Sequence, residues 1–168
     1  MVLTSLLSAV RQADRAVERQ VFEAWSIEIP SRFAETFVEE DGYWHAWTSD
    51  RSVSLTSMLL TDRRGRPIPF DELTREFDRI DPLPAGEPVT ERRPGLISRY
   101  VIADTLQPAV ATRLLSGIVG VEGRVLIVTI TSDDLDWAAR TWRSIRCHPV
   151  PLPSRAERRR FSRSRAKR

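Results

Sequence analysis

The feature that most constrains the fold is the segment at residues 124–131, which reads RVLIVTIT. Its β-branched residues favour an extended backbone. Because its apolar residues are nearly continuous, both faces of such a strand must be covered by other parts of the molecule. A chain of 168 residues can bury most of its surface without a disulfide or a metal. The segment therefore predicts a central strand inside a layered domain.

Shorter segments with alternating apolar and polar residues surround this strand along the chain. In residues 25–29 the large apolar side chains alternate with polar ones, and Pro30 ends the strand. An Asp-Gly pair at residues 41–42 favours a tight hairpin, and the Pro- and Gly-rich stretch 81–94 is expected to be a loop. Further strands are predicted at residues 32–38, 43–48, 51–61, 95–105 and 110–121. The apolar run at 110–121 is also compatible with a helix, but Gly117 and Gly120 favour the strand.

Three other segments have apolar residues at helical spacing. An amphipathic helix is predicted at residues 3–19, where its apolar face packs on the domain; a partner or a membrane surface is the alternative. A second helix is predicted at residues 70–80, and a third at residues 132–146 with Ser132 as its N-cap. The apolar face of the third helix is expected to contain Leu135, Ala138, Ala139, Trp142 and Ile145.

These elements predict an α+β fold. Hairpins without strand–helix–strand alternation indicate an antiparallel sheet flanked by helices, an α/β/α sandwich. Residues 20–147 are expected to form one domain, with the helix in residues 1–19 packed on it. Prolines after residue 148 prevent a further helix, so residues 148–168 are expected to be a linker followed by a disordered basic tail.

Residues 154–168 carry most of the chain's positive charge. Eight basic residues and one acidic residue give this segment a net charge of +7, whereas the rest of the chain has 18 basic and 22 acidic residues, a net charge of −4. Three roles stay open for it: binding polyanions such as RNA, DNA or acidic lipid, docking on an acidic partner, or solubilising the protein while lying against its acidic body. The basic residues are Arg155, Arg158, Arg159, Arg160, Arg163, Arg165, Lys167 and Arg168.

No combination of residues is typical of an active site. Cys147 and His148 are adjacent, but neighbours in sequence rarely point at each other and no orienting acid is identifiable, so a structural or surface role is expected. His45 follows the acidic residues 39–41 without a second histidine at ligand spacing, so we expect no metal site. The glycines within residues 117–123 lack the lysine of a phosphate-binding loop. We expect neither enzyme activity nor a cofactor.

The single cysteine favours a reducing compartment. The first ten residues are partly apolar, but no Lys or Arg precedes them, and no small-residue cleavage site follows. No apolar run approaches the roughly 20 residues that cross a bilayer. We therefore expect a cytoplasmic protein without a membrane span.

The strand after the Asp-Gly hairpin is the candidate binding surface because it is rich in aromatic residues. On a strand, Tyr43, His45 and Trp47 share one face, whereas Trp44 and Ala46 share the other. Either helices cover both faces, which is the favoured interpretation, or one aromatic set is an exposed binding patch. Tyr43, His45 and Trp47 are the candidate partner-binding residues.

The order of elements resembles the PsbP-like fold that is shared with the Ran-binding Mog proteins. Three features carry the resemblance over residues 20–147: an opening strand that ends in Ile29-Pro30, the mid-chain helix at 70–80, and a closing strand and acidic-capped helix at 125–145. The resemblance implies an antiparallel sheet flanked by helices and no shared active site. Members of the family serve as binding subunits, GTPase-binding factors or chaperones for secretion-system effectors.

We therefore expect a non-enzymatic binding or adaptor protein with a chaperone-like role. It would hold a protein partner on its sheet surface, and the basic tail would add electrostatic capture. The alternative is a nucleic-acid-associated protein in which the arginine-rich tail supplies most of the affinity. Because a fold alone does not assign a function, the function has to be argued from the residues on the surface.

Overall fold

A computed structural model describes residues 15–38, 42–77, 86–104 and 112–149, which form ten strands and two helices. Neither of these two helices has the length and apolar character that a membrane-crossing helix needs. The helices are α1 (Phe70–Phe77) and α2 (Leu135–Arg143). The strands are β1 (Ala16–Phe22), β2 (Trp25–Pro30), β3 (Ala34–Val38), β4 (Tyr43–Trp47), β5 (Ser52–Leu59), β6 (Val89–Arg93), β7 (Leu96–Asp104), β8 (Arg113–Val121), β9 (Arg124–Ser132) and β10 (Arg146–Cys147).

The strands form two antiparallel sheets. The large sheet has seven strands in the order β3-β4-β5-β9-β8-β7-β6, and the small sheet has the order β1-β2-β10. The predictions of an α+β fold and of an antiparallel sheet are confirmed. β9, the apolar segment at residues 124–131, has three strands on each side of it in the large sheet, so its predicted central position is also confirmed.

β9 divides the apolar interior into two cores because its side chains alternate between the two faces of the large sheet. On the face that we call inner, Leu126, Val128 and Ile130 pack against residues of the small sheet and α2. On the opposite face, which we call outer, Val125 and Ile127 pack in a cluster that contains α1. The central strand is thus covered on both sides.

α1 lies close against β8 because residue 120 is glycine. A Cβ atom at Gly120 would lie 2.6 Å from Phe77 Cζ and 2.9 Å from Leu73 Cδ2, and both of these side chains are buried. A larger residue would therefore push the helix away from the sheet. Arg99 Nη1 donates a hydrogen bond of 2.7 Å to the Phe77 carbonyl oxygen, which fixes the last turn of α1 to β7.

The predicted N-terminal helix at residues 3–19 is wrong for its last four residues, which belong to β1. Val17 and Val21 are four residues apart, a spacing that suits a helix but also places both side chains on one face of a strand. Antiparallel pairing with β2 from Ala16 to Phe22, with an irregularity at Val21, selects the strand. The rest of this prediction, at residues 3–14, lies outside the described residues.

Part of the stretch 81–94, predicted as a loop, is the strand β6. Its polar sequence VTERR suits an edge strand, which faces solvent and needs no apolar alternation. Two contacts with α2 hold it: Arg143 Nη2 lies 3.0 Å from Glu91 Oε1, and Arg93 Nη1 donates to the Arg143 carbonyl oxygen at 3.1 Å. Residues 81–85 lie outside the described residues.

α2 differs from its prediction at both ends and in its buried face. The N-cap is Asp134, whose carboxylate accepts a 2.9 Å hydrogen bond from the Trp137 N–H. The predicted cap, Ser132, instead accepts a hydrogen bond from the Asp134 N–H. The helix ends at Arg143, and the predicted residues 144–146 lead into β10. Of the predicted apolar face, Ala138, Trp142 and Ile145 are buried, whereas Leu135 and Ala139 are partly exposed. Trp137, which stacks on Phe33, and Thr141 are buried as well.

His148, the first residue of the predicted linker, is attached to the small sheet. Its N–H donates a hydrogen bond of 2.7 Å to the Ala24 carbonyl oxygen. Just before it, Cys147 in β10 pairs with Trp25 in β2. Residues 150–168, which contain all eight basic residues of the predicted tail, lie outside the described residues.

Replacing Trp142 by alanine should lower the free energy of unfolding by about 3–5 kcal/mol, because it removes a buried ring and leaves a cavity. Trp142 is 1% exposed, and its ring centroid lies 5.0 Å from that of Tyr100. Chemical denaturation followed by circular dichroism measures the change. Trp47→Ala is the matched control, because Trp47 is 38% exposed and its removal should cost about 1 kcal/mol. Equal losses in the two variants would contradict the core position of Trp142.

Candidate partner-binding surface

Tyr43, His45 and Trp47, which we call the aromatic row, lie on the outer face of the large sheet. Trp44 and Ala46 point to the inner face, where they are buried in the core, so the predicted division of β4 into two faces agrees with the structure. The favoured interpretation expects helices over both faces; among the described residues, no helix covers the aromatic row. α1, the described helix on the outer face, packs on β7, β8 and β9, and Trp47 stays partly exposed.

The rings of the aromatic row stack on one another along β4. The centroids of Tyr43 and His45 are 6.2 Å apart and those of His45 and Trp47 are 5.1 Å apart, with ring planes 9° and 17° from parallel. Ser54 on β5 holds the stack, because its Oγ lies 2.8 Å from His45 Nδ1 and 3.4 Å from Tyr43 Oη. Side chains fixed in this way lose little conformational entropy when a partner binds.

Exposed apolar side chains are concentrated on the same part of the large sheet. Scattered exposed apolar residues are normal on protein surfaces, but a group of them is typical of an interaction site. Among the described residues, five of the seven exposed large apolar side chains lie on β3, β4 and β5, namely Phe37, Val38, Trp47, Met58 and Leu59. This end of the sheet is therefore the strongest candidate for a binding surface.

Within the part of the chain that the structure describes, β3 is an edge strand that no other element covers or pairs with on its outer side. Residues Ala34–Val38 are all exposed, and Glu35 is the one charged side chain among them. Of the described strands, β4 is the one that pairs with β3. The opposite edge, β6, carries Glu91, Arg92 and Arg93 and is tied to α2. Because charges and covering elements normally block edge-to-edge pairing, β3 is the edge that is open to strand addition.

A groove with a volume of about 510 Å³ lies between the β1–β2 turn and β3. Its lining residues are Gln20, Val21, Phe22, Glu23, Glu35, Thr36, Phe37 and Trp44. We call it the acidic groove because these residues include two carboxylates and no basic side chain. Phe22 and Phe37 meet edge to face with centroids 5.8 Å apart, and Trp44 Nε1 donates to Glu35 Oε2 at 3.2 Å. The groove thus combines aromatic walls with negative charge.

A second depression, of about 530 Å³, lies beside the Trp47 end of the aromatic row. The Thr48 hydroxyl donates to Asp50 Oδ1 at 2.8 Å. This bond, assisted by the charge of Arg51, lowers the pKa of the Asp50 carboxyl below its ordinary value, so the group is ionised at neutral pH. The depression therefore combines an aromatic side chain with charges of both signs. Its lining residues are Arg32, Ala34, Trp47, Thr48, Ser49 and Asp50.

Cys147 and His148 do not form a nucleophile and a base. Cys147 Sγ lies 3.7 Å from the His148 carbonyl oxygen, whereas the imidazole Nε2 lies 2.8 Å from Ser26 Oγ. Ser26 donates its own proton to Glu18 Oε1 at 2.6 Å, so the imidazole must donate to the hydroxyl and cannot activate it. Ser26 is also 1% exposed. These bonds connect β1, β2 and the residue that follows β10, which agrees with the structural or surface role that the sequence predicts.

His45 is directed towards a hydroxyl and not towards a cluster of metal ligands. Its Nδ1 lies beside Ser54 Oγ, and the acidic residues 39–41 lie outside the described residues. Within the described part of the chain, no three or more His, Cys, Asp or Glu side chains are grouped so that they could hold a metal ion.

Phe37, Val38 and the acidic groove have no counterpart among the predicted binding residues. The sequence predicts a strand at residues 32–38 and a hairpin after it, but no pattern marks that strand as exposed. No pattern indicates the groove either. Phe22 and Phe37 belong to different sheets and meet when the small sheet packs against the large one.

Comparison of the chain with protein-family models gives no match, and no curated protein matches it. The resemblance to the PsbP-like fold therefore stays a prediction. The function has to be argued from the surface features described above.

We expect Cys147 to react slowly with thiol reagents in the folded protein. Burial raises the pKa of its thiol above the ordinary value, and the charge of Arg124 offsets part of that effect. At about pH 8 less of the reactive thiolate is then present than in a free cysteine. Iodoacetamide labelling followed by mass spectrometry measures the rate, with the protein in guanidinium chloride as the unfolded control. Equal rates in the two conditions would show that Cys147 is not shielded.

Proposed function

We propose that the chain is a non-enzymatic adaptor that holds a protein partner at the β3–β4 end of the large sheet. The observation that carries this proposal is the exposed edge strand β3 beside the stacked aromatic row. The concentration of exposed apolar side chains on β3, β4 and β5 supports the same location. A chaperone-like role fits a surface of this kind, because an open edge can pair with an extended segment of another chain.

The proposed mode of binding is addition of a partner strand to β3. Main-chain hydrogen bonds supply affinity with little dependence on sequence, and side chains of the added strand alternate between the two faces of the sheet. On the outer face they lie next to Ala34, Thr36 and Val38, and long side chains reach across β3 to the aromatic row on β4. On the inner face they contact the acidic groove. Trp and Tyr side chains often dominate the binding energy of an interface, so Trp47 and Tyr43 should be the main determinants of specificity.

We further propose that the layers form a PsbP-like α/β/α sandwich in a cytoplasmic protein. The support for the sandwich is the order of elements: β2 ends at Pro30, α1 lies in mid-chain, and β9 is followed by α2. The support for the location is the single cysteine of the chain. Family members that act as binding subunits or chaperones are compatible with the adaptor role.

Two substitutions on this surface should each weaken partner binding about tenfold, because an interface residue of this kind can contribute more than 1 kcal/mol. Val38→Lys places a charge on the β3 edge, and Trp47→Ala removes one end of the aromatic row. Ile102→Lys is the matched control for the first substitution. Ile102 is 40% exposed and Val38 is 41% exposed, but Ile102 lies on β7, away from the proposed surface.

The measurement compares the wild type with all three variants, each checked for folding by circular dichroism. Proteins captured from native lysate are quantified by mass spectrometry, and the recovered partner is purified and titrated by calorimetry. Loss of the same partner from Val38→Lys and Trp47→Ala, with retention by Ile102→Lys, is the expected result. Equal affinity for all four proteins would overturn the proposed surface.

The basic tail carries a second candidate function, which is binding to nucleic acid. Its net charge of +7, against −4 for the rest of the chain, concentrates attraction for phosphates in one segment. The acidic groove of the domain would repel phosphates. We therefore propose that any affinity for nucleic acid resides in residues 154–168.

Deleting residues 154–168 should abolish binding to duplex DNA or RNA. In the full chain the affinity should fall by about 10³ as salt rises from about 50 to about 200 mM, because neutralised phosphates release counterions. Fluorescence anisotropy with a labelled duplex measures both quantities. An affinity that survives the deletion, or that does not change with salt, would exclude this function for the tail.

A further inference from the structure

We propose that the acidic groove is the docking site for this chain's own C-terminal residues 158–163, which read RRRFSR. Phe161 would lie against the aromatic walls that Phe22 and Phe37 form. The neighbouring arginines would pair with Glu23 and Glu35. This assigns a ligand to the groove without any contribution from an external partner.

The chemistry of the groove and that of the segment are complementary. Aromatic side chains prefer edge-to-face and offset contacts with other rings, and the groove presents Phe22 and Phe37 in such a pair. Its two carboxylates have no basic side chain beside them in the lining. The guanidinium group can bind a carboxylate through two parallel hydrogen bonds. Within residues 154–168, Phe161 is the one large apolar side chain, and arginines lie on both sides of it.

The position at which the chain leaves the small sheet also favours this occupant. The His148 N–H is bonded to the Ala24 carbonyl oxygen, and Ala24 directly follows Glu23, which lines the groove. The described chain therefore ends beside the rim of the groove. Phe161 follows Pro149 by 12 residues, which can span about 40 Å when extended.

Attachment to the same chain makes even weak docking effective. A segment tethered by a short linker has an effective concentration of about millimolar at a nearby site. The opposite net charges of the segment and the rest of the chain add long-range attraction. Since the groove lies beside β3, a docked segment would compete with a partner strand and regulate the adaptor function proposed above. The docking itself does not depend on that function.

Photo-cross-linking in the full-length protein tests the proposal. Phe161→p-benzoylphenylalanine keeps an aromatic side chain at this position and reacts with its neighbours on illumination. Mass spectrometry of the monomer band should locate the cross-links in peptides that contain Phe22, Phe37 or Trp44. Dilution of the sample should leave the yield unchanged because the reaction is intramolecular.

Two charge variants provide the matched comparison. Glu23→Gln with Glu35→Gln should lower the cross-link yield about fivefold, because both proposed ion pairs are lost and exposed pairs contribute modestly. Gln can still accept the hydrogen bond that Trp44 donates to Glu35. Glu87→Gln with Glu122→Gln makes the same change of charge at exposed sites elsewhere and should leave the yield unchanged.

Three results would overturn the proposal: cross-links spread over the whole domain, equal yields in the two double variants, or cross-links confined to dimers. The last result would indicate that the segment binds in a second copy of the chain. None of these results bears on Val38 or Trp47, so the docking and the adaptor function can fail independently of each other.

Discussion

The fold depends on the requirement that β9 be covered on both faces. A strand that is apolar on both sides has no favourable position at a surface, so the chain must supply strands beside it and layers above and below it. β5 pairs with β9 at eight positions and β8 pairs with it at nine. α1 then covers the outer face, while α2 and the small sheet cover the inner face. The exposed end at β3 and β4 lies where this coverage ends.

The elements that bury apolar side chains were predictable, because burial imposes a periodic pattern on the sequence. β2, β4, β5, β7, β8, β9 and α1 all follow from this pattern. The periodic pattern does not predict an element correctly where strand pairing or local hydrogen bonds determine the secondary structure. β6 faces solvent and is held by its contacts with β7 and α2. The start of β1 fits both the helical and the strand period, and pairing with β2 selects the strand. Ser and Asp are both favoured N-cap residues, so the sequence does not distinguish Ser132 from Asp134, which is the cap in the structure.

The binding surface was predictable to the extent that it lies on one strand. Alternation placed Tyr43, His45 and Trp47 on one face, and their rings do stack. The exposure of that face depends on where α1 packs, which is set by the close approach at Gly120 and not by any residue of β4. The acidic groove joins two sheets, so its composition appears only in three dimensions.

The position of β9 near the end of the chain has a consequence for folding during synthesis. Ser52 and Thr131 are paired across β5 and β9, yet 79 residues separate them in sequence, and contacts of such long range form slowly. While the ribosome makes the second half of the chain, the β3–β4–β5 meander has unpaired edges on both sides. Unpaired edges on nascent chains are prone to aggregation, so this meander stays exposed to aggregation until β9 has been made. Once β9 has been made, it pairs with β5 and removes the unpaired edge on that side.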